Sequence, residues 1–170
     1  MTVCSASATK FLEAGRLAVV GASPEKANFG RAVLRELLDH GCDAVVVNPA
    51  ATAAGVTSVE GVGCYAAVED VPGPVAGAIV MVGADRSADV VQACADAGVP
   101  RVWLFRGIGG PGAMSDDALR LCDERHLEVV AGACPLMFLE PAGLVHRIHR
   151  AARRATGAVD RCTREERVAS

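Results

Sequence analysis

The chain has 170 residues, 51% of them hydrophobic but only 4% aromatic, which fits one domain whose core is built from small side chains. Its formal net charge of −3 leaves no broad basic surface, which argues against nucleic acid as a partner. No apolar run approaches the roughly 20 residues of a membrane span, and the opening MTVCSASATKFLEAGR has no continuous apolar core, so neither a membrane anchor nor a signal peptide is expected and a cytoplasmic location is.

Strand-like and helix-like patterns alternate along the chain. LAVVG (17–21) is a continuous apolar run, the signature of a strand buried on both faces. Phe29, Val33, Leu34, Leu37 and Leu38 then recur at helical spacing, and Gly41 is a natural stop. DAVVVNP (43–49) is a second buried strand, closed by Pro49. The variable stretch 50–75 holds at most a short strand or one helical turn around 65–70. GAIVMVG (77–83) is a third strand, with its helix over 85–97 and Gly98 closing it. RVWLF (101–105) is the fourth. After the glycine loop GIGGPGAMS, Ser115 is placed to cap a helix over 116–126 that carries acids in its first turn. LEVVAG (127–132) is the fifth strand, a basic helix is expected over 144–154, and the polar tail should fray.

Such alternation, with right-handed crossovers, predicts a single α/β domain over 10–155 with flexible termini at 1–9 and 156–170. The expected architecture is Rossmann-like: a doubly wound, mainly parallel five-stranded sheet in the order 3-2-1-4-5, with helices on both faces.

In an open sheet of this kind the ligand crevice lies beyond the carboxyl ends of the strands. The residues there are Gly21-Ala22-Ser23, Asn48-Pro49, Gly83-Ala84, Arg106-Gly107 and the stretch from Gly132 to Pro135. The first loop offers backbone amides, a serine hydroxyl and the start of a helix, a setting in which a diphosphate can be held. It is also what an ordinary strand-to-helix turn needs. The second strand narrows the choice. NAD-binding folds usually place an acid at its end for the ribose hydroxyls, and here Asn48 stands there. NADP fares no better, since no Lys or Arg occurs between Arg35 and Arg86.

No catalytic set is visible. His40 and His126 close helices, where partial positive charge is favourable. His146 and His149, three residues apart on the last expected helix, lack further ligands for a metal. The seven cysteines are scattered with no C-x-x-C pair, so packing rather than zinc or redox chemistry is expected of them. Cys134 sits closest to the crevice, where a thiol is placed to contact a ligand sulfhydryl or form a mixed disulfide with it. Leu136, Met137 and Phe138 make its setting dry, however, which blunts reactivity and favours packing.

These segments resemble a known family. VVGAS followed by NFG and a helix, then VVVNP, GVPRVWLFRGIGG and GACPLMFLEP before HRIHR, are similar to the small stand-alone CoA-binding domain proteins, related to the N-terminal domain of the succinyl-CoA synthetase alpha subunit. The resemblance spans roughly 10–150. It implies CoA or acyl-CoA as ligand, with the diphosphate on Gly21, Ala22, Ser23 and the turn containing Asn28 and Gly30, and the adenosine against Asn48 and Pro49. Relatives commonly carry a basic residue after the Asn-Pro, where this chain has Ala50 and Ala51, so phosphate charge falls to Lys26, Arg31 or Arg86. The expectation is a non-catalytic holder of CoA, acyl-CoA or a related adenine nucleotide. The alternative is an NAD(P)-dependent oxidoreductase or a ligase subunit that needs a partner chain. Val/Ala-rich helix faces leave room for a homodimer.

Overall fold

The computed structural model describes residues 5–107 and 112–139. Its centre is a seven-stranded sheet in the order β3-β4-β2-β1-β5-β6-β7. The strands are β1 (Leu17–Val20), β2 (Ala44–Val47), β3 (Ser58–Val59), β4 (Val62–Tyr65), β5 (Gly77–Val80), β6 (Arg101–Phe105) and β7 (Glu128–Ala133). All neighbours pair in parallel except β3 and β4, which form an antiparallel hairpin.

The α/β, doubly wound expectation is met, with two corrections. The sheet has seven strands rather than five, because the variable stretch folds into β3 and β4. The strand expected third, β5, does not lie outside β2. It pairs with β1, Leu17 opposite Gly77 through Val20 opposite Val80, and β4 takes the outer place through Val46–Cys64 and Val47–Tyr65. The chain thus works outward from β1 to β2 and β4, then returns to start again at β5. That reversal between β1 and β5 is the topological switch point where α/β sheets open a crevice.

The helices are α1 (Ser5–Leu12), α2 (Phe29–Asp39), α3 (Pro49–Ala53), α4 (Ala84–Asp96) and α5 (Asp116–Glu124). Alternate residues of each strand feed two cores, as the period of two requires. Leu17, Val19, Val46, Ile79 and Trp103 pack with Phe11 of α1, with Val33, Leu34 and Leu37 of α2, and with Ala51 of α3. Ala18, Val20, Val45, Val80 and Leu104 pack with Val91 and Cys94 of α4 and with Ala118 and Cys122 of α5. Residues 5–9, expected to be a flexible lead-in, begin α1 instead, and Ala8 is fully buried. Phe11 and Phe138 both make edge-type ring contacts with Trp103, at centroid distances of 5.4 and 5.6 Å, and the indole N–H donates to the Ala133 carbonyl at 2.9 Å.

The helix expected over 144–154, with His146 and His149, lies outside the described residues, as do the polar tail and 108–111 of the glycine loop. Among the described residues no helix is long and apolar enough to cross a membrane.

Candidate functional site

At the carboxyl end of β1 the backbone turns at Gly21, whose φ of +97° favours glycine. Its amide donates to the Val47 carbonyl at 3.0 Å, which ties the loop to β2. The next residue, Ala22, is buried, and its carbonyl accepts a 2.8 Å bond from Asn48 Nδ2. The other amide atom of Asn48, Oδ1, accepts from the Ala51 amide at 3.0 Å. Asn48 is therefore the N-cap of α3, with Pro49 in the first helical position, a placement that suits both residues. In the sequence the pair reads as the tail of a strand. In the fold the Asn48 side chain spans two elements and has both functional ends engaged.

Asn28 has the matching role in the preceding loop. Its Oδ1 accepts from Arg31 N at 2.9 Å, which caps α2, and from Ser23 N at 3.2 Å, which pins the loop. Ser23 Oγ in turn accepts from the Glu25 amide at 3.3 Å. Gly30 lets the loop and the helix meet: a Cβ there would lie 2.9 Å from Ala22 Cα and 2.9 Å from Asn28 Oδ1. Gly21, Ala22, Ser23, Asn28, Gly30, Arg31 and Asn48 are thus one connected unit, with Pro49 beside it. The unit presents the first turn of α2, where helical amides have no carbonyl partner of their own, and the helix dipole adds partial positive charge.

The cations are less free than the sequence implies. Arg31 donates through Nε to Glu60 and through Nη1 to the Pro24 carbonyl in the first loop. Arg35, one turn further on, grips both carboxylate oxygens of Glu60, at 2.8 and 3.2 Å. Lys26 and Arg86 are exposed. Glu60 carries no signal in the sequence. It sits in the two-residue turn between β3 and β4 with a φ of +51°, followed by Gly61 at +81°, and the folded hairpin carries it to α2.

The two guanidinium groups hold the Glu60 carboxyl down at about 2, below its usual 4.5, with Arg35 the larger cause. A carboxyl with a depressed folded pKa adds stability above its unfolded pKa, and that contribution is lost as pH falls through the folded value. Wild type should therefore lose melting temperature more steeply than Glu60→Gln between about pH 4.5 and pH 2. Parallel melting curves over that range would show that the ion pairs add nothing.

Helical spacing places Phe29 on the inward face of α2. As the first residue of the helix it is instead turned outward, 48% exposed, and leans on Phe105 at a centroid distance of 5.3 Å. Ser115 caps α5 as its sequence position implies, accepting from Ala118 N at 3.1 Å, with Ser87 Oγ 2.8 Å away. Cys134 is buried in the core. Burial pushes the Cys94 thiol up to about 12 and Cys122 to about 11, so neither is a nucleophile at neutral pH. Among the described residues no group of three or more His, Cys, Asp or Glu side chains is placed to hold a metal ion.

A family model described as a CoA binding domain matches residues 15–140. The chain belongs to the CoA-binding domain family. No curated protein matches it, but solved structures do. A hypothetical protein from Pyrococcus horikoshii OT3 is 26% identical, with 81% of this CoA-binding domain chain and 91% of that one covered at a TM-score of 0.70. A conserved hypothetical protein from Pyrococcus furiosus is 29% identical over 71% of this chain and 95% of that one, at 0.61. The dinucleotide forming acetyl-coenzyme A synthetase 1 of Ca. Korarchaeum cryptofilum is 27% identical. It matches 71% of this chain but only 26% of its own length, at a TM-score of 0.59. The CoA-binding domain described here is thus similar both to small proteins of its own size and to a portion of a much larger synthetase.

Proposed function

We propose that this CoA-binding domain holds CoA, an acyl-CoA or a related adenine nucleotide at the carboxyl ends of β1 and β2, without chemistry of its own. The observation that carries the reading is the Asn28 carboxamide, which fixes the Ser23 and Arg31 amides together at the start of α2. The Ser23 and Arg31 amides are themselves engaged by Asn28. What a diphosphate meets in this reading is the other N–H groups of the loop and of the first turn of α2, held in place without having to order on binding. In this reading the diphosphate lies on Gly21, Ala22, Ser23 and Gly30, and the adenosine lies against Asn48 and Pro49. Lys26 and Arg31 supply the positive charge.

A ligand present at 100 times its Kd adds about 2.7 kcal/mol to stability, which for a domain of this size raises the melting temperature by roughly 5–10 °C. CoA, acetyl-CoA and ADP should each be tried at millimolar concentration; no shift with any of them ends the proposal. Mass spectrometry of the small molecule released from freshly purified native protein identifies the occupant directly. Ser23→Asp should weaken CoA by about tenfold or more, because a carboxylate set against phosphates is repelled, while adenosine affinity changes little. Equal losses for both ligands would place the phosphates elsewhere.

The similarity to a portion of acetyl-coenzyme A synthetase 1 favours a second reading, a ligase subunit that acts with a partner chain. Co-purification of a second polypeptide with the native protein would support it. An NAD(P)-dependent oxidoreductase has less support, since Asn48 stands at the end of the second strand, where dinucleotide folds place an acid for the ribose hydroxyls.

A further inference from the structure

We propose that Glu60 determines how this site discriminates among ligands by phosphate charge, acting as an internal carboxylate that competes with phosphate for Arg31 and Arg35. The inference rests on the nucleotide-holding reading above and adds the residue that limits it.

Arg31 connects the two places. One guanidinium touches both the Pro24 carbonyl of the first loop and the Glu60 carboxylate of the β3–β4 turn. Glu60 therefore lies within one guanidinium's span of the loop that would carry the diphosphate. Its side chain is 16% exposed and that of Arg31 22%, so both are half-sheltered and still reachable from solvent. Arg35 closes the group with a two-point grip on the same carboxylate. Two cations that would together present a charge of +2 to a phosphate present +1. With Ala50 and Ala51 following Asn48-Pro49, the nearby helix start α3 adds no further cation.

The turn itself does not call for glutamate. Two-residue hairpin turns with both φ values positive favour Asn-Gly or Asp-Gly, and a non-glycine residue in the left-handed region carries a conformational cost. Glu60 accepts that geometry with a side chain too long to support the turn locally, and its carboxylate is spent entirely on α2. A phosphate arriving at Arg31 must displace this carboxylate or share the guanidinium with it. The cost of displacement grows with how much a ligand depends on the arginines: nothing for adenosine, more for dephospho-CoA, most for CoA with its additional phosphate. At neutral pH the carboxylate stays ionised, so the competition is set by ligand charge and ionic strength.

Calorimetric titration of the whole chain with adenosine, dephospho-CoA and CoA tests this. Glu60→Gln should tighten CoA by about five- to tenfold and dephospho-CoA by less, with adenosine unchanged within about twofold, the pattern of a charge effect rather than a shape effect. Arg35→Gln, on an exposed helix surface, leaves Glu60 wholly to Arg31 and should weaken CoA while sparing adenosine. It carries the test if Glu60→Gln fails to fold. Wild type that binds CoA while both variants match it, or variants that shift all three ligands equally, would overturn the role of Glu60 and leave the holder reading intact. Failure of wild type and both variants to bind any of the three would remove the holder reading and this inference together.

Discussion

Gly30→Val should destabilise the domain by about 1–3 kcal/mol, the usual range for a side chain forced into filled space, and should abolish measurable CoA binding. Elsewhere in a helix the exchange of glycine for a residue with a Cβ is favourable, since glycine costs about 1 kcal/mol relative to alanine. Here the new Cβ meets backbone at 2.9 Å, at Ala22 Cα, and the Asn28 carboxamide oxygen at the same distance. Ala22 Cα is backbone and cannot swing aside, and the Asn28 side chain can do so only by releasing the two amides it holds. Either the first loop lifts away from α2 or Asn28 gives up the Ser23 and Arg31 amides, and each change dissolves the arrangement that faces the ligand. Urea unfolding measures the stability loss and titration with CoA measures the binding loss. Ala32→Val, at an exposed position on the same helix, controls for the propensity of valine and should cost only a few tenths of a kcal/mol. If Gly30→Val unfolds at the same urea concentration as wild type, the close approach of loop and helix is not a constraint.

Asn48→Ala should cost about 2 kcal/mol or more, as the sum of a lost helix cap of about 1 kcal/mol and an unpaired Ala22 carbonyl of about 1–3 kcal/mol. Asn48→Asp separates the two contributions. An aspartate keeps the capping acceptor for the Ala51 amide and suits the helix N-terminus, but it has no N–H for the Ala22 carbonyl and sets like partial charges against each other. It should therefore remain less stable than wild type. It also should not gain NAD affinity, even though it creates the acid that dinucleotide folds carry at this strand end, because the first loop it must support would be released. Chemical denaturation of the three proteins, with NAD and CoA titrations, checks the set. An aspartate variant as stable as wild type would show that the 2.8 Å bond from Asn48 Nδ2 contributes nothing.

What is legible in the chain and what is not divide along physical lines. The buried parallel strands are legible because runs such as LAVV and AVVV must be apolar on both faces, and α2, α4 and α5 because helical periodicity survives over nine residues or more. The hairpin is not: β3 has two residues, β4 has a glycine in a four-residue strand, and its turn carries Glu60 where Asn would have announced it. Helix α3 has five residues, too few for a period to appear. At the site, the positions of Gly21 and Asn48 follow from strand ends, but the hydrogen bonds of Asn28 and Asn48 depend on where the loop closes. The Arg31–Glu60 and Arg35–Glu60 pairs join residues 29 and 25 positions apart, and no local pattern encodes them. Arg31 thus reads as a free cation, although in the fold it is already spoken for.

The single tryptophan of the chain is also its natural optical probe. Trp103 is fully buried on β6, edge-packed by Phe11 of the first helix and by Phe138 beyond β7, with its indole N–H on the Ala133 carbonyl. One emitting side chain therefore samples the two ends of the described chain at once, without a label. Its fluorescence follows the docking of the N-terminal helix onto the central sheet, and the blue emission of a dry indole gives way to red when either flank lets water in.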